Sequence, residues 1–172
     1  MEYYDLEIKP RIKIESLIHT LKKNIASNVN SIQIHQDQNI EVIEELSACT
    51  ANVKRLYIIF SNNCIEWLTV DILSRWKLTG CDFIRSSIAT SFIMLVVQTC
   101  TELTSIQLNT SNIDDAAVIA TAQHCPKLQT LVLQWSNKIT YTSLIALSER
   151  GLPLKELDIE YIPHIPTADI AR

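Results

Sequence analysis

One phrase recurs along this chain at nearly constant spacing: an apolar residue, two variable positions, an apolar residue, one variable position, an apolar residue. It begins near residues 3, 29, 53, 78, 103, 128 and 154, in steps of 24 to 26 residues, and is clearest in Leu103-x-x-Ile106-x-Leu108 and Leu128-x-x-Leu131-x-Leu133. Self-similarity at such a period marks a solenoid, whose units are too small to enclose a core and bury their apolar faces on their neighbours. Residues 1–172 are therefore expected to form a single repeat domain of about seven units, the last incomplete.

The unit starting at Leu128 shows how one repeat works. Leu131 and Leu133 alternate with Thr130, Val132 and Gln134, the pattern of a short strand with one buried face. Ser136, Asn137 and Lys138 turn the chain, Ile139 re-enters the core, and Thr140 caps a helix with Leu144 and Leu147 on one side. Gly151 and Pro153 end it. Strand, turn and antiparallel helix within one period is shorter than the roughly 30 residues of a free βαβ crossover, so the units must stack as coils. The expected fold class is α/β, a solenoid with a parallel sheet on its concave face and helices on its convex face. The helical stretches from Ile65 to Trp76 and from Ile88 to Gln98 are more apolar than one amphipathic face requires, as doubly covered central repeats would be. Ser61, Ser86, Ser111 and Ser136 recur at intervals of 25, where the chain leaves each strand. A hydroxyl there pairs backbone groups that lose their ladder partners; the plainer alternative is that turns favour serine.

Cys100-Thr101-Glu102-Leu103 and Cys125-Pro126-Lys127-Leu128, each followed by the repeated phrase, and Ile139-Thr140 behind the second, carry a resemblance. The chain resembles the cysteine-containing subclass of leucine-rich repeats, found in F-box/leucine-rich-repeat proteins and related mitotic-exit antagonists. The resemblance spans Tyr3 to Ile170 and is crisp from Cys100 to Leu147, with serine where that subclass usually has cysteine or asparagine at position nine. It implies a ribonuclease-inhibitor-like horseshoe. It also implies a substrate receptor of an SCF-type ubiquitin ligase, in which a separate amino-terminal helical module joins the ligase components and the repeats hold the substrate. No such module precedes Tyr3, so contact with the ligase is expected only through a flanking one.

Composition narrows the function classes. With 47% hydrophobic and 20% charged residues and only Gly 2 and Pro 5, the chain reads as ordered rather than linker-like. A net charge of -4 supplies no footprint for nucleic acid, which needs clustered Lys and Arg. Lys22-Lys23 and Lys127 are isolated basic spots. The run around Ile93 to Val97 is too short to span a bilayer, and the acidic start shows no leader, so an intracellular place, cytoplasmic or nuclear, is expected, with no membrane partner. Cys49, Cys64, Cys81, Cys100 and Cys125 lack a C-x-x-C and read as reduced thiols, without disulfide or metal. The sequon Asn109-Thr110-Ser111 has no secretory context. His19, His35, His124 and His164 show no ligand spacing, and His124 beside Cys125 points elsewhere if both are helical. Asp114-Asp115 reads as a helix cap. No enzyme and no cofactor are expected.

The pattern left over is the outward face of the strands. Positions three, five and seven of each repeat project from it and align in columns. Position five reads Glu7, Gln33, Tyr57, Asp82, Gln107, Val132, Asp158, and position seven reads Lys9, His35, Ile59, Ile84, Asn109, Gln134, Glu160. Position eight adds Phe60, Arg85, Trp135 and Tyr161. Aromatic and apolar residues among polar ones, with Arg nearby, suit a protein partner. The candidate contact residues are Tyr57, Ile59, Asp82, Ile84, Arg85, Gln107, Asn109, Gln134, Trp135, Asp158 and Tyr161, with Phe60 and Trp135 alternatively folded under the turn as core. Glu156, Asp158 and Glu160 make one end acidic, which suits a basic segment on a partner. Two other uses of such a face are occlusion of an enzyme or GTPase by an inhibitor, and recognition within an immune-type sensor.

Overall fold

The structure, a computed structural model, describes residues 4–8, 19, 28–35, 40–59, 68–109 and 112–165. Seven strands, β1 (Tyr4–Ile8), β2 (Val29–His35), β3 (Arg55–Ile59), β4 (Gly80–Ile84), β5 (Ser105–Asn109), β6 (Thr130–Val132) and β7 (Glu156–Asp158), form one sheet in sequential order. Each pairs with the next in parallel. From β2 onward a helix stands between consecutive strands: α1 (Ile40–Cys49), α2 (Val70–Arg75), α3 (Thr90–Thr99), α4 (Asp115–His124) and α5 (Tyr141–Arg150). The fold is α/β, a parallel sheet alternating with helices.

The alternation within each phrase sets the register. Leu6, Ile32, Leu56, Cys81, Ile106, Leu131 and Leu157 stand side by side across the sheet, and Ile8, Ile34, Ile58, Phe83 and Leu108 form the next row. Apart from half-buried Leu6 and exposed Leu157, these rows share one continuous core with Ile43, Leu46, Ile72, Leu73, Ile93, Val96, Val97, Val118 and Leu147 from the helices. The helices therefore cover this face of the sheet, and each packs against the helix after it. Burying one such Leu or Ile side chain is worth about 1.5–3 kcal/mol, and the rows repeat that gain along the sheet.

Backbone bonds reinforce the stack at each strand entry: the N–H of Lys54, Thr79, Thr104, Gln129 and Lys155 donates to the carbonyl of Asn30, Lys54, Thr79, Thr104 and Gln129 respectively. Two helical expectations need trimming. Trp76 is the extended residue that closes α2, and Ile65 to Trp67 lie outside the described residues. Ile88 is buried ahead of α3, which begins only at Thr90.

Caps do more than end helices. Asp114 accepts from the Ala116 N–H at 3.1 Å, and Thr140 from the Thr142 N–H at 3.2 Å. Gly151 closes α5 in the left-handed conformation, φ 61°, which glycine adopts without a Cβ penalty. Asp115 reaches into the next repeat, accepting from the Thr140 N–H at 2.7 Å, the Thr140 hydroxyl at 2.6 Å and the Ser143 hydroxyl. Thr90 donates to Asp114 at 2.9 Å, the Trp76 indole to the Thr50 hydroxyl at 3.2 Å, and Arg75 to the Ser47 hydroxyl at 2.9 Å.

Cys81, Cys100 and Cys125 are buried free thiols, and Cys49 is a half-buried one. Burial pushes Cys100 and Cys125 up to about 12, Cys100 adding to the effect on Cys125, so neither is a thiolate at neutral pH. Cys64 lies outside the described residues. Among the described residues no helix is long and apolar enough to cross a membrane.

Two stability tests follow from the packing and the clamps. Leu131→Ala should cost about 2–5 kcal/mol because it empties a fully buried site, whereas Thr130→Ala should cost little; equal losses in urea unfolding would contradict the register. Burial acts to raise the Asp115 carboxyl, but bonds from the Ser143 and Thr140 hydroxyls and their backbone N–H groups outweigh it and hold the group below its ordinary value. A carboxylate held low stabilises the fold above its unfolded-chain value, and that stability is lost as pH falls through the folded one. Asp115→Ala should therefore be less stable than wild type by about 1–3 kcal/mol at neutral pH, with the gap narrowing below pH about 4. Unfolding curves at both pH values measure it, and a gap that does not change with pH would refute the clamp.

Candidate functional site

The face of the sheet opposite the helices carries the columns in register. Glu7, Gln33, Tyr57, Asp82, Gln107, Val132 and Asp158 pair successively, as do His35, Ile59, Ile84 and Asn109. Tyr57, Ile59, Ile84, Gln107, Asn109, Gln134 and Asp158 are half-buried, while Arg85, Trp135 and Tyr161 are exposed. Gln134 donates to Asp158 at 2.6 Å, and the other Asp158 oxygen accepts from the Glu160 N–H at 3.0 Å. The Asn109 side-chain oxygen is buried without a hydrogen-bond partner.

Asp82 departs from the expectation that it is available to a partner, being only 3% exposed. The reason lies one strand away. Gly80 has no side chain, and a Cβ there would meet the Arg55 Nε at 3.2 Å. Arg55 uses that space to reach from β3 across β4, its Nη2 donating to Asp82 Oδ2 at 3.4 Å. Its guanidinium also stands 5.7 Å from the centre of the Tyr57 ring, within cation–π range. Burial raises the Asp82 carboxyl, and Arg55 only partly opposes it. The other carboxylate oxygen and the Arg55 Nε are buried without hydrogen-bond partners. Asp82 thus holds Arg55 beside Tyr57 instead of meeting a partner itself. The strand alternation that puts positions five and seven on this face also puts position three there, which was the signal for Arg55.

At the amino-terminal end, His35 Nε2 lies 3.0 Å from a Glu7 carboxylate oxygen and 2.6 Å from the Gln33 amide nitrogen, and Ser31 donates to Asp5 at 2.5 Å. Lys127, read as an isolated basic spot, instead pairs with Glu102 at 2.5 Å. Both partners of that pair are largely exposed, so it contributes little to stability.

Position eight carries a feature with no compositional trace. Arg85, Trp135 and Tyr161 all have left-handed backbones, with φ of 50°, 62° and 60°. A non-glycine residue there costs about 1–2 kcal/mol. Trp135 and Tyr161 stack with ring centres 4.1 Å apart and planes 10° from parallel, yet remain 57% and 63% exposed. Trp135 is therefore not folded under the turn as core, because its left-handed backbone turns the ring toward Tyr161. Phe60, of the same column, lies outside the described residues. A groove of about 540 Å³ runs beside the stack, lined by Asn137, Ile162 and Pro163 among others.

At position nine, Ser86 is buried and its hydroxyl donates to the carbonyls of Ile58 at 3.2 Å and Ile84 at 3.1 Å. Ser136 is buried with its hydroxyl 3.5 Å from the Gln134 carbonyl. Ser61 and Ser111 lie outside the described residues. Among the described residues no group of three or more His, Cys, Asp or Glu side chains is placed to hold a metal ion. No protein-family model matches this chain, and no curated protein matches it.

Ser86→Ala should cost about 1–3 kcal/mol by stranding buried carbonyls, while Ser105→Ala, half-buried on the open face, should leave stability nearly unchanged. Thermal unfolding of the pair decides it, and indistinguishable midpoints for Ser86→Ala and wild type would remove the structural role of the hydroxyl.

Proposed function

We propose that this chain is a leucine-rich repeat horseshoe that recognises a protein partner with the concave, open face of its sheet and performs no catalysis. The sequential strand order supports the horseshoe, because a doubly wound sheet binds its ligands where its strand order reverses. The observation that carries the function is the Trp135–Tyr161 stack, two large rings left mostly in solvent on strained backbone. Half-buried Tyr57, Ile59 and Ile84 with Arg55 give the face a second aromatic and cationic group. Tyr, Trp and Arg are the residue types that most often anchor interfaces. Substrate reception for a ubiquitin ligase is the use we propose for the face. It rests on the resemblance of Cys100 to Leu147 to F-box/leucine-rich-repeat proteins.

Affinity capture with quantitative mass spectrometry, comparing wild type with Tyr57→Ala plus Trp135→Ala, tests the reading. Loss of an anchor costs about 2 kcal/mol or more of binding, so partners of the open face should drop at least tenfold in the double variant. They should persist with a substitution at exposed Gln98 of α3, Gln98→Arg. Partners retained by the double variant but lost with Gln98→Arg would move the binding surface to the helices. Ligase scaffold components among the captured proteins would support the ubiquitin reading.

A further inference from the structure

Arg55 is the one Lys or Arg among the described residues at positions three, five and seven of the open face. Its neighbours in the position-three column are small, Ser31 on one side and Gly80 and Ser105 on the other. Most acidic side chains of these columns stand apart from it: Asp5 and Glu7 on β1, two strands away, and Glu156 and Asp158 on β7, four strands away. With strands about 4.8 Å apart, those distances are about 10 Å and about 19 Å across the sheet. Only Asp82 is close.

Asp82 compensates the guanidinium incompletely. Its Oδ2 lies 3.4 Å from Nη2, whereas a charge-assisted N–H···O bond closes to about 2.7–2.9 Å. A guanidinium carries five N–H donors, and this long contact is the hydrogen bond and the ion pair that Arg55 makes with the described side chains. Nε is enclosed over Gly80, yet the side chain is 40% exposed and open to a ligand from the solvent side. Its place is nevertheless fixed. The stem and Nε lie on Gly80, Nη2 points to an Asp82 that is 3% exposed, and Cζ stands 5.7 Å from the centre of the Tyr57 ring. An arginine held in this way has already lost much of the rotamer freedom that binding would otherwise have to freeze.

Charge selects the occupant. An acidic side chain approaching the face meets repulsion at both ends of the sheet and a cation between them, so the charge pattern fixes where it lands. A phosphoryl group, with nearly two negative charges, matches a single guanidinium with Asp82 beside it less well than a carboxylate does. Further along the same strands Ile59 and Ile84 stand side by side, half-buried, as apolar contact for what flanks the acid. We propose that Arg55 fixes the register of the open face by taking an aspartate or glutamate side chain of the partner protein, with Tyr57, Ile59 and Ile84 receiving the apolar side chains around it. Gly80 and Asp82 are positioning residues that hold the guanidinium in place. The proposal rests on the reading of the open face as the partner surface.

The probes are pools of short fluorescent peptides, degenerate over uncharged residues except at one central position, fixed as glutamate, glutamine, lysine or phosphoserine. By anisotropy the glutamate pool should bind the chain at least tenfold tighter than each of the others. Arg55→Gln with Asp82→Asn removes both charges without stranding the buried carboxylate, and should abolish that preference while leaving the affinity of the glutamine pool unchanged. Gly80→Val keeps both charges but fills the space beneath the Arg55 stem, and should do the same. A glutamate preference that persists in either of these, or no preference in wild type, including no binding by any pool, would overturn the proposal. Tightest binding by the phosphoserine pool would assign Arg55 to a phosphorylated partner and overturn it too. Tyr57→Ala with Trp135→Ala separates the two readings. Pools that bind alike in wild type and weaken in this variant would overturn the Arg55 proposal and leave the open face standing, whereas pools weakened by Gln98→Arg and not by this variant would overturn both.

Discussion

Every unit of this chain depends on the next one for burial. A strand of three to seven residues and a helix of six to ten cannot enclose a core; Leu131, fully buried, stands between Ile106 and Leu157 of the neighbouring strands and shares one core with Val118 of α4 and Leu147 of α5. That dependence holds the period. A shift of one residue in any strand would turn its apolar row to solvent and break contact with both neighbours. The polar bonds obey the same constraint: Asp115 to Thr140, Thr90 to Asp114, Trp76 to Thr50 and Thr104 to Thr79 each join residues 24 to 26 apart. The polar clamps thus join the same neighbouring elements that the apolar rows bring together.

What the sequence made legible is what this one-dimensional logic determines. Period two within the strand and a period near 25 along the chain were enough to place Ile106 and Leu131 inward, and to align Tyr57 beside Asp82 and Gln107. The caps at Asp114, Thr140 and Gly151 were equally readable, because their chemistry is local. What the pattern left open or missed has lateral causes. Asp82 is buried because Arg55, on the neighbouring strand, crosses the bare backbone of Gly80. Trp135 stays out because Tyr161, a full repeat later, offers its ring face. Alternation along one strand contains neither fact. Asp115 likewise resembled half of a cap until the next repeat supplied Thr140 and Ser143.

The left-handed residues at position eight set a backbone cost against what their side chains contribute. Glycine would adopt that backbone without the Cβ clash, and the turn needs only the conformation, yet the chain places Arg85, Trp135 and Tyr161 there. The aromatic stack returns about 0.5–1.5 kcal/mol beyond the gain from the area its rings bury, against about 1–2 kcal/mol of strain at each of its two residues. The same rings stand mostly in solvent, where further apolar contact would bury them. Strained backbone persists where the surroundings over-determine it, and here the Tyr161 ring from the following repeat holds Trp135 in place.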